Sequence, residues 1–152
     1  MRTLIVIASP SELELAKKEI EKMELTQVDI LITGVGALNI MTALRDVEKD
    51  RPIFNVGYAG SVDIPIGKRV EVGKCTLYHP QVTYNEPKFY LPGGVACYTS
   101  ADFVTHSKKH GCVFDMELAY ILAMGFTNIR GIKYVSDNCN YDEYVETSGN
   151  KD

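Results

Sequence analysis

The sequence predicts an α/β fold in three layers, with a mixed, mostly parallel central sheet flanked by helices. Three observations carry that expectation. Apolar runs of strand length alternate with segments of helical period from Leu4 to Gly60, in the order strand–helix–strand–helix–strand. Such alternation builds parallel strands with helices packed on the sheet faces. Turns rich in serine or glycine follow the first three strands, on the edge where open α/β sheets hold their ligands.

Each element has its own signal. Leu4–Ala8 is a continuous apolar run, the mark of a buried strand. Ser9–Pro10–Ser11 breaks it, and Ser11 is placed to cap a helix whose apolar stripe is Leu13, Ala16, Ile20 and Met23. Val28–Thr33 is a β-branched second strand, ended by Gly34–Val35–Gly36. A second helix then turns Ala37, Ile40, Leu44 and Val47 inward. Pro52–Val56 is a third strand, followed by the small-residue turn Gly57–Tyr58–Ala59–Gly60. Beyond it, Gly67–Gly73 reads as a turn-rich link, Lys74–Tyr78 as a strand and Gln81–Pro92 as a polar loop. Val95–Tyr98 is another strand, Ala101–Ser107 a short helical start, and Val113–Phe114 a brief extended piece. Met116–Met124 forms a buried helix stopped by Gly125, and Ile129–Ser136 is the last strand. Residues 1–137 therefore make one domain, and residues 138–152 a loose, polar, acidic C-terminal tail.

Composition narrows the function. The 152 residues suffice for a core without a metal or disulfide staple. Sixteen Lys+Arg against 20 Asp+Glu give a net charge of −4, so no basic field awaits a nucleic acid or an anionic membrane. No apolar run reaches the roughly 18 residues of a membrane span, and no signal-peptide pattern opens the chain. Cys75, Cys97, Cys112 and Cys139 form no C-x-x-C pair, and His79, His106 and His110 share no metal-like spacing with them. These features predict a cytoplasmic protein with reduced thiols and no metal, acting on a small molecule or a protein partner.

Thr33–Gly34–Val35–Gly36 between strand and helix is able to offer backbone N–H groups to an anion or a polar ligand. Asn39 occupies the place of the third glycine in a dinucleotide fingerprint, and no G-K-[ST] follows, so neither phosphate motif is present. Three carboxylates stand at strand ends or a helix start: Glu12 after the first strand, Glu117 opening a helix, and Asp137 ending the last strand. Singly each has an ordinary explanation as a first-turn acid, a surface residue or a cap. Jointly, at one sheet edge beside two glycine turns, they describe a polar pocket.

Taken in order, Thr33–Gly34–Val35–Gly36, Asn55–Val56–Gly57–Tyr58–Ala59–Gly60, Phe114–Asp115–Met116–Glu117 and Val135–Ser136–Asp137 resemble the nucleoside phosphorylase/nucleosidase family. The likeness runs from Leu4 to Asp137 and implies a phosphorylase/hydrolase-like fold. It also implies roles. Glu117 would accept hydrogen bonds from the ribose hydroxyls, with Met116 packed on the sugar. Asp137 would be the general acid at purine N7, and Glu12 would orient the attacking water. Ala59, Gly60, Phe103 and Val104 would line the base, and Thr33, Gly34, Gly36 and Lys133 the anion or water site. Ala101–Asp102–Phe103–Val104 resembles the family's base-pocket segment, with Asp102 one place out of register.

Several positions depart from the pattern. Asn55 stands where the phosphorylases place a phosphate-binding arginine, which is the hydrolase-like choice. Tyr58 replaces a serine and Lys133 an arginine of the hydrolases. The short interval from Glu12 to Thr33 omits a strand pair, and the family's long C-terminal helix is expected to be missing. The resemblance thus implies a purine nucleosidase that cleaves the N-glycosidic bond by hydrolysis and needs no cofactor. The alternatives are a phosphorylase, which would use phosphate, or a catalytically weak nucleoside-binding protein. A homo-oligomer, most simply a dimer, is expected to complete the pocket.

Overall fold

The computed structural model of the protein describes residues 1–78, 88–105 and 107–149. Its first strand, β1 (Thr3–Ile7), keeps Leu4, Ile5, Val6 and Ile7 buried, as a strand covered on both faces must. It pairs in parallel with β2 (Val28–Ile32) and with β3 (Ile53–Gly60). Between β1 and β2 lie a 3₁₀ turn, Pro10–Glu12, and α1 (Leu13–Lys22). Between β2 and β3 lies α2 (Ala37–Leu44), which buries Ile40 and Leu44. The expected strand–helix alternation is thus present, and one helix with one strand fills the interval from Glu12 to Thr33.

The second half closes the sheet on itself. β3 pairs in parallel with β8 (Ile129–Asp137), and at Gly60 it meets β7 (Cys112–Asp115) antiparallel. β7 continues in parallel to β6 (Val95–Thr99), and β6 to β4 (Arg69–Leu77). On the edge opposite β6, β4 returns antiparallel to β8 at Arg69–Glu71 and carries β5 (Lys88–Tyr90) further along. β3, β7, β6, β4 and β8 therefore form a barrel-like ring, with β1 and β2 as an extension. The mixed sheet with flanking helices is as the sequence predicts; the ring takes the place of a flat central layer. Its physical origin is strand length. β3, β4 and β8 run eight or nine residues and twist along that length; β3 passes from β1 to β7 along one edge and β4 from β8 to β5, while β8 joins β3 to β4.

Other boundaries move for identifiable reasons. Gly57–Gly60 is the end of β3 and not a turn, and most of Gly67–Gly73 belongs to β4. Ser11 does not cap a helix; its hydroxyl pairs with that of Ser9, while α1 begins only at Leu13. No helix occupies the described residues of 101–107; residues 81–87 of the expected polar loop lie outside the described residues, as do His79 and His106. The described part of the C-terminal segment, residues 138–149, is not loose: α4 (Tyr141–Ser148) forms there. Asn140 accepts the Glu143 N–H at 3.0 Å, Glu143 accepts the Asn138 N–H at 3.0 Å, and Gly149 ends the helix at φ 70°. Capping at both ends outweighs the acidity of the segment.

One buried ion pair fixes α1 to the ring. Glu19, fully buried, receives Arg69 from β4 through two bonds of 2.7 and 3.0 Å and the Tyr134 hydroxyl from β8. All four cysteines are buried free thiols. Among the described residues, no helix is long and apolar enough to cross a membrane.

Candidate functional site

A cavity of about 360 Å³ opens where β1, β3, β7 and β8 end. Glu12, Glu117 and Asp137 all line it, drawn from residues far apart in the chain. Met116 joins Glu117 on the β7–α3 connection, where α3 is Leu118–Ala123. Ala59 and Gly60 come from β3, and Phe103 and Val104 from the segment after β6. The remaining four expected residues are elsewhere. Thr33, Gly34 and Gly36 do not line the cavity; Val35 of that turn does. The Thr33 and Gly34 N–H groups are spent on the carbonyls of Ile7 and Ala8. Lys133 lies behind the cavity wall, fully buried.

Each carboxylate is held by a different device. Glu12 bridges two strands: Oε1 accepts the Ala8 N–H and Oε2 the Tyr58 N–H, both at 2.8 Å. Burial pushes its carboxyl up from the usual range, against the opposing pull of Lys133 and those N–H groups. Glu117 stands just before α3 and accepts the Met116 N–H at 3.0 Å. Burial pushes it up to about 7, with the charges of Glu12 and Asp115 adding to the shift and Lys133 opposing it. Asp137 accepts the Ser136 hydroxyl at 2.7 Å and the Asn140 N–H at 3.2 Å, and burial raises it too. The three therefore share a tendency to hold a proton, which is what general acid–base groups near neutrality require.

Lys133 balances part of this charge. Its Nζ sits 2.9 Å from Asp115 Oδ2 and donates to Asn55 Oδ1 at 2.8 Å. Burial opposes its charge, but Asp115 and Glu117 more than restore it, so the ammonium is held above its ordinary range. Asp115 in turn accepts the Thr99 hydroxyl and the Leu118 N–H, the latter capping α3. Asp115, a cavity-lining residue absent from the sequence-based set, had a legible signal in its position three residues before Leu118.

The aromatic wall was also unforeseen. Tyr141 and Tyr144 reach the cavity from α4, and both pack on Phe103 with ring centroids 5.4 and 5.6 Å away. Tyr58 lines the cavity as well, its hydroxyl titration raised by burial and by the charge of Glu12. Among the residues lining the cavity there are five carboxylates and no lysine, arginine or histidine. The field of these described residues favours neutral or electron-poor groups over anions.

No protein-family profile and no curated protein matches the chain. Solved structures do. An MTAN from Chlamydia trachomatis aligns with a TM-score of 0.73 at 14% identity, over 97% of this chain and 89% of that one. The MTA/SAH nucleosidase of Streptococcus pneumoniae, solved with 8-aminoadenine, gives 0.70 at 18%, over 98% and 94%. The nucleosidase of Neisseria meningitidis, solved with methylthio-immucillin-A, gives 0.71 at 19%, over 97% and 92%. The chain has the fold of the 5′-methylthioadenosine/S-adenosylhomocysteine nucleosidases.

Proposed function

We propose that the protein hydrolyses the N-glycosidic bond of a purine nucleoside. The observation that carries this reading is the convergence of Glu12, Glu117 and Asp137, each with a raised carboxyl pKa, on one aromatic-walled cavity. Phe103 and Val104 receive the base, and Glu117 accepts hydrogen bonds from the ribose hydroxyls beside Met116. Water, oriented by Glu12, attacks C1′. As the C1′–N9 bond breaks, its electron pair moves into the purine, and N7 takes the proton of Asp137. Glu12 takes the proton that the attacking water releases, so the products are the free base and the free sugar. The positive charge that develops on the ribose faces anionic side chains throughout. Water is the only co-reactant, so the reaction needs neither metal nor organic cofactor.

Phosphorolysis fits the cavity less well, because Asn55 is turned inward to Lys133 and, among the described residues, no cation lines the cavity to receive phosphate. Assembly follows from the surface. Ile30 and Ile32 on the edge strand β2, with Val35, Leu38 and Met41 at α2, are exposed, Leu38 at 79%. We place a two-fold dimer on this face, which borders the cavity at Val35. The test is to incubate the protein with adenosine, inosine, methylthioadenosine and S-adenosylhomocysteine, following free base chromatographically with and without phosphate. Base release independent of phosphate is expected. Release only with phosphate, accompanied by ribose 1-phosphate, overturns hydrolysis, and no release from any of the four overturns the enzymatic reading.

A further inference from the structure

Gly57 does not line the cavity, although its neighbours Tyr58, Ala59 and Gly60 do. A glycine in the interior of a strand weakens it, so its presence asks for a local reason. Ligand approach is not that reason, since the ligand space lies next to other residues. The neighbours of Gly57 are the protein's own acids. A Cβ built there would lie 2.6 Å from Glu12 Oε2 and 3.4 Å from Glu117 Oε1. The first distance is a collision and the second is ordinary contact. Glu12 moves aside only by loosening these bonds, because its two oxygens are tied to the N–H groups of Ala8, just past β1, and of Tyr58 on the neighbouring strand β3.

We propose that Gly57 is a positioning residue, whose missing side chain is the seat that lets Glu12 and Glu117 stand face to face against β3. The seat gives Glu12 its hydrogen bond to the next backbone N–H along the same strand. It also sets how far the water-orienting carboxylate stands from the ribose-holding one. Three residues on, the pattern recurs: a Cβ on Gly60 would lie 2.8 Å from Asp137 Oδ2. The spacing Gly57–Tyr58–Ala59–Gly60 thus seats one acid at each end, and a shift of register between Ala59 and Gly60 brings Asp137 opposite the second glycine. A methyl at 57 forces Glu12 away from the Tyr58 N–H while Glu117 keeps its place.

The seat itself is tested without any assumption about activity; only its catalytic consequence rests on the nucleosidase reading. Thermal unfolding is measured for wild type, Gly57→Ala, Glu12→Ala and the double variant. Gly57→Ala is expected to lower Tm by several degrees in wild type and to leave it unchanged or slightly raised in the Glu12→Ala background. An equal drop in both backgrounds overturns the proposal, because the methyl then meets something other than Glu12. In the second arm, Gly57→Ala is expected to lower kcat on the best nucleoside by about 10²-fold, with KM within twofold and the basic limb of the pH profile displaced. A rise in KM with kcat and pH profile untouched overturns the positioning role. If wild type turns over no nucleoside, the functional reading fails while the unfolding cycle still decides the seat.

Discussion

Replacing Lys133 by methionine tests the charge balance behind the cavity. The side chain keeps most of its volume and loses its ammonium. Lys133 and Asp115 are both buried, and at 2.9 Å an effective dielectric of about 20 makes their attraction about 6 kcal/mol. Part of that attraction is offset by the desolvation both groups already bear, and breaking a buried pair costs about 3–5 kcal/mol because the surviving charge is left unpaired. A domain of this size loses about 2–4 °C of Tm per kcal/mol, so a fall on the order of 10 °C is expected at neutral pH. The sign of the pH dependence follows. In wild type burial pushes Asp115 up, but Lys133 together with the Thr99 and Leu118 hydrogen bonds outweighs it and lowers the pKa, so that acid contributes stability above its unfolded pKa, lost as pH falls through the folded one. In the variant, burial is opposed only by the Thr99 and Leu118 bonds, so the Asp115 pKa rises, and the deficit is full at neutral pH and shrinks as acid supplies the missing proton. Unfolding in urea from about pH 5 to about pH 8 measures both curves. The double variant Lys133→Met/Asp115→Asn, with both charges gone and the Thr99 and Leu118 bonds kept, is expected to recover most of the loss. A deficit below about 1 kcal/mol, or one that does not change with pH, refutes this account of Lys133.

Three further outcomes are expected. Asp137→Asn keeps the size and a hydrogen-bond donor for N7 but has no proton to transfer, so purine binding persists while the hydrolysis rate falls by about 10²–10⁴; equal rates for both proteins would move the acid elsewhere. Glu117→Gln weakens nucleoside binding by about 1.5–3 kcal/mol in calorimetry. In wild type, because Glu117 holds its proton up to about 7, affinity rises as pH is raised through that value and the carboxylate becomes an acceptor for two hydroxyls; a flat profile refutes the clamp. Sedimentation at micromolar concentration shows a dimer, and Leu38→Glu in the exposed α2 face returns it to the 16.9 kDa species.

Much of the fold was legible because it rests on period. β1, β2 and β8 are apolar runs, and α2 shows its buried stripe in Ile40 and Leu44. Ring closure was not legible, since a strand that changes partners midway carries no mark of the change in its own residues. β3 was read as ending at Val56 because glycine is depleted in strands. Its continuation makes sense only once Glu12 and Asp137 are seen to need the space. The carboxylates were found because a lone acid at the end of an apolar strand is conspicuous. Lys133, a cation inside the apolar stretch Ile129–Ser136, was equally conspicuous, but its partners Asp115 and Asn55 come from other strands and are joined only by the ring. Tyr141 and Tyr144 escaped notice because the acidity of their segment hid the capping pattern around Asn140 and Glu143.

The place of β8 in the ring bears on how the chain is made. β8 is the last strand in sequence, yet it lies between β3 and β4, pairing Ile53 with Ile129 and Val70 with Lys133. As the polypeptide leaves the ribosome, β3 emerges with one long edge still open and β4 with the short stretch Arg69–Glu71, and those edges wait until β8 arrives. Open apolar edges of that length invite pairing with other chains. Asp137 also enters with β8, so the cavity comes into being in the same event that seals the barrel. Folding dominated by such distant pairings belongs to the slow range of milliseconds to seconds. A synthesis pause before Ile129 would hold the nascent chain in its most vulnerable form, with the two edges bare and no site yet built.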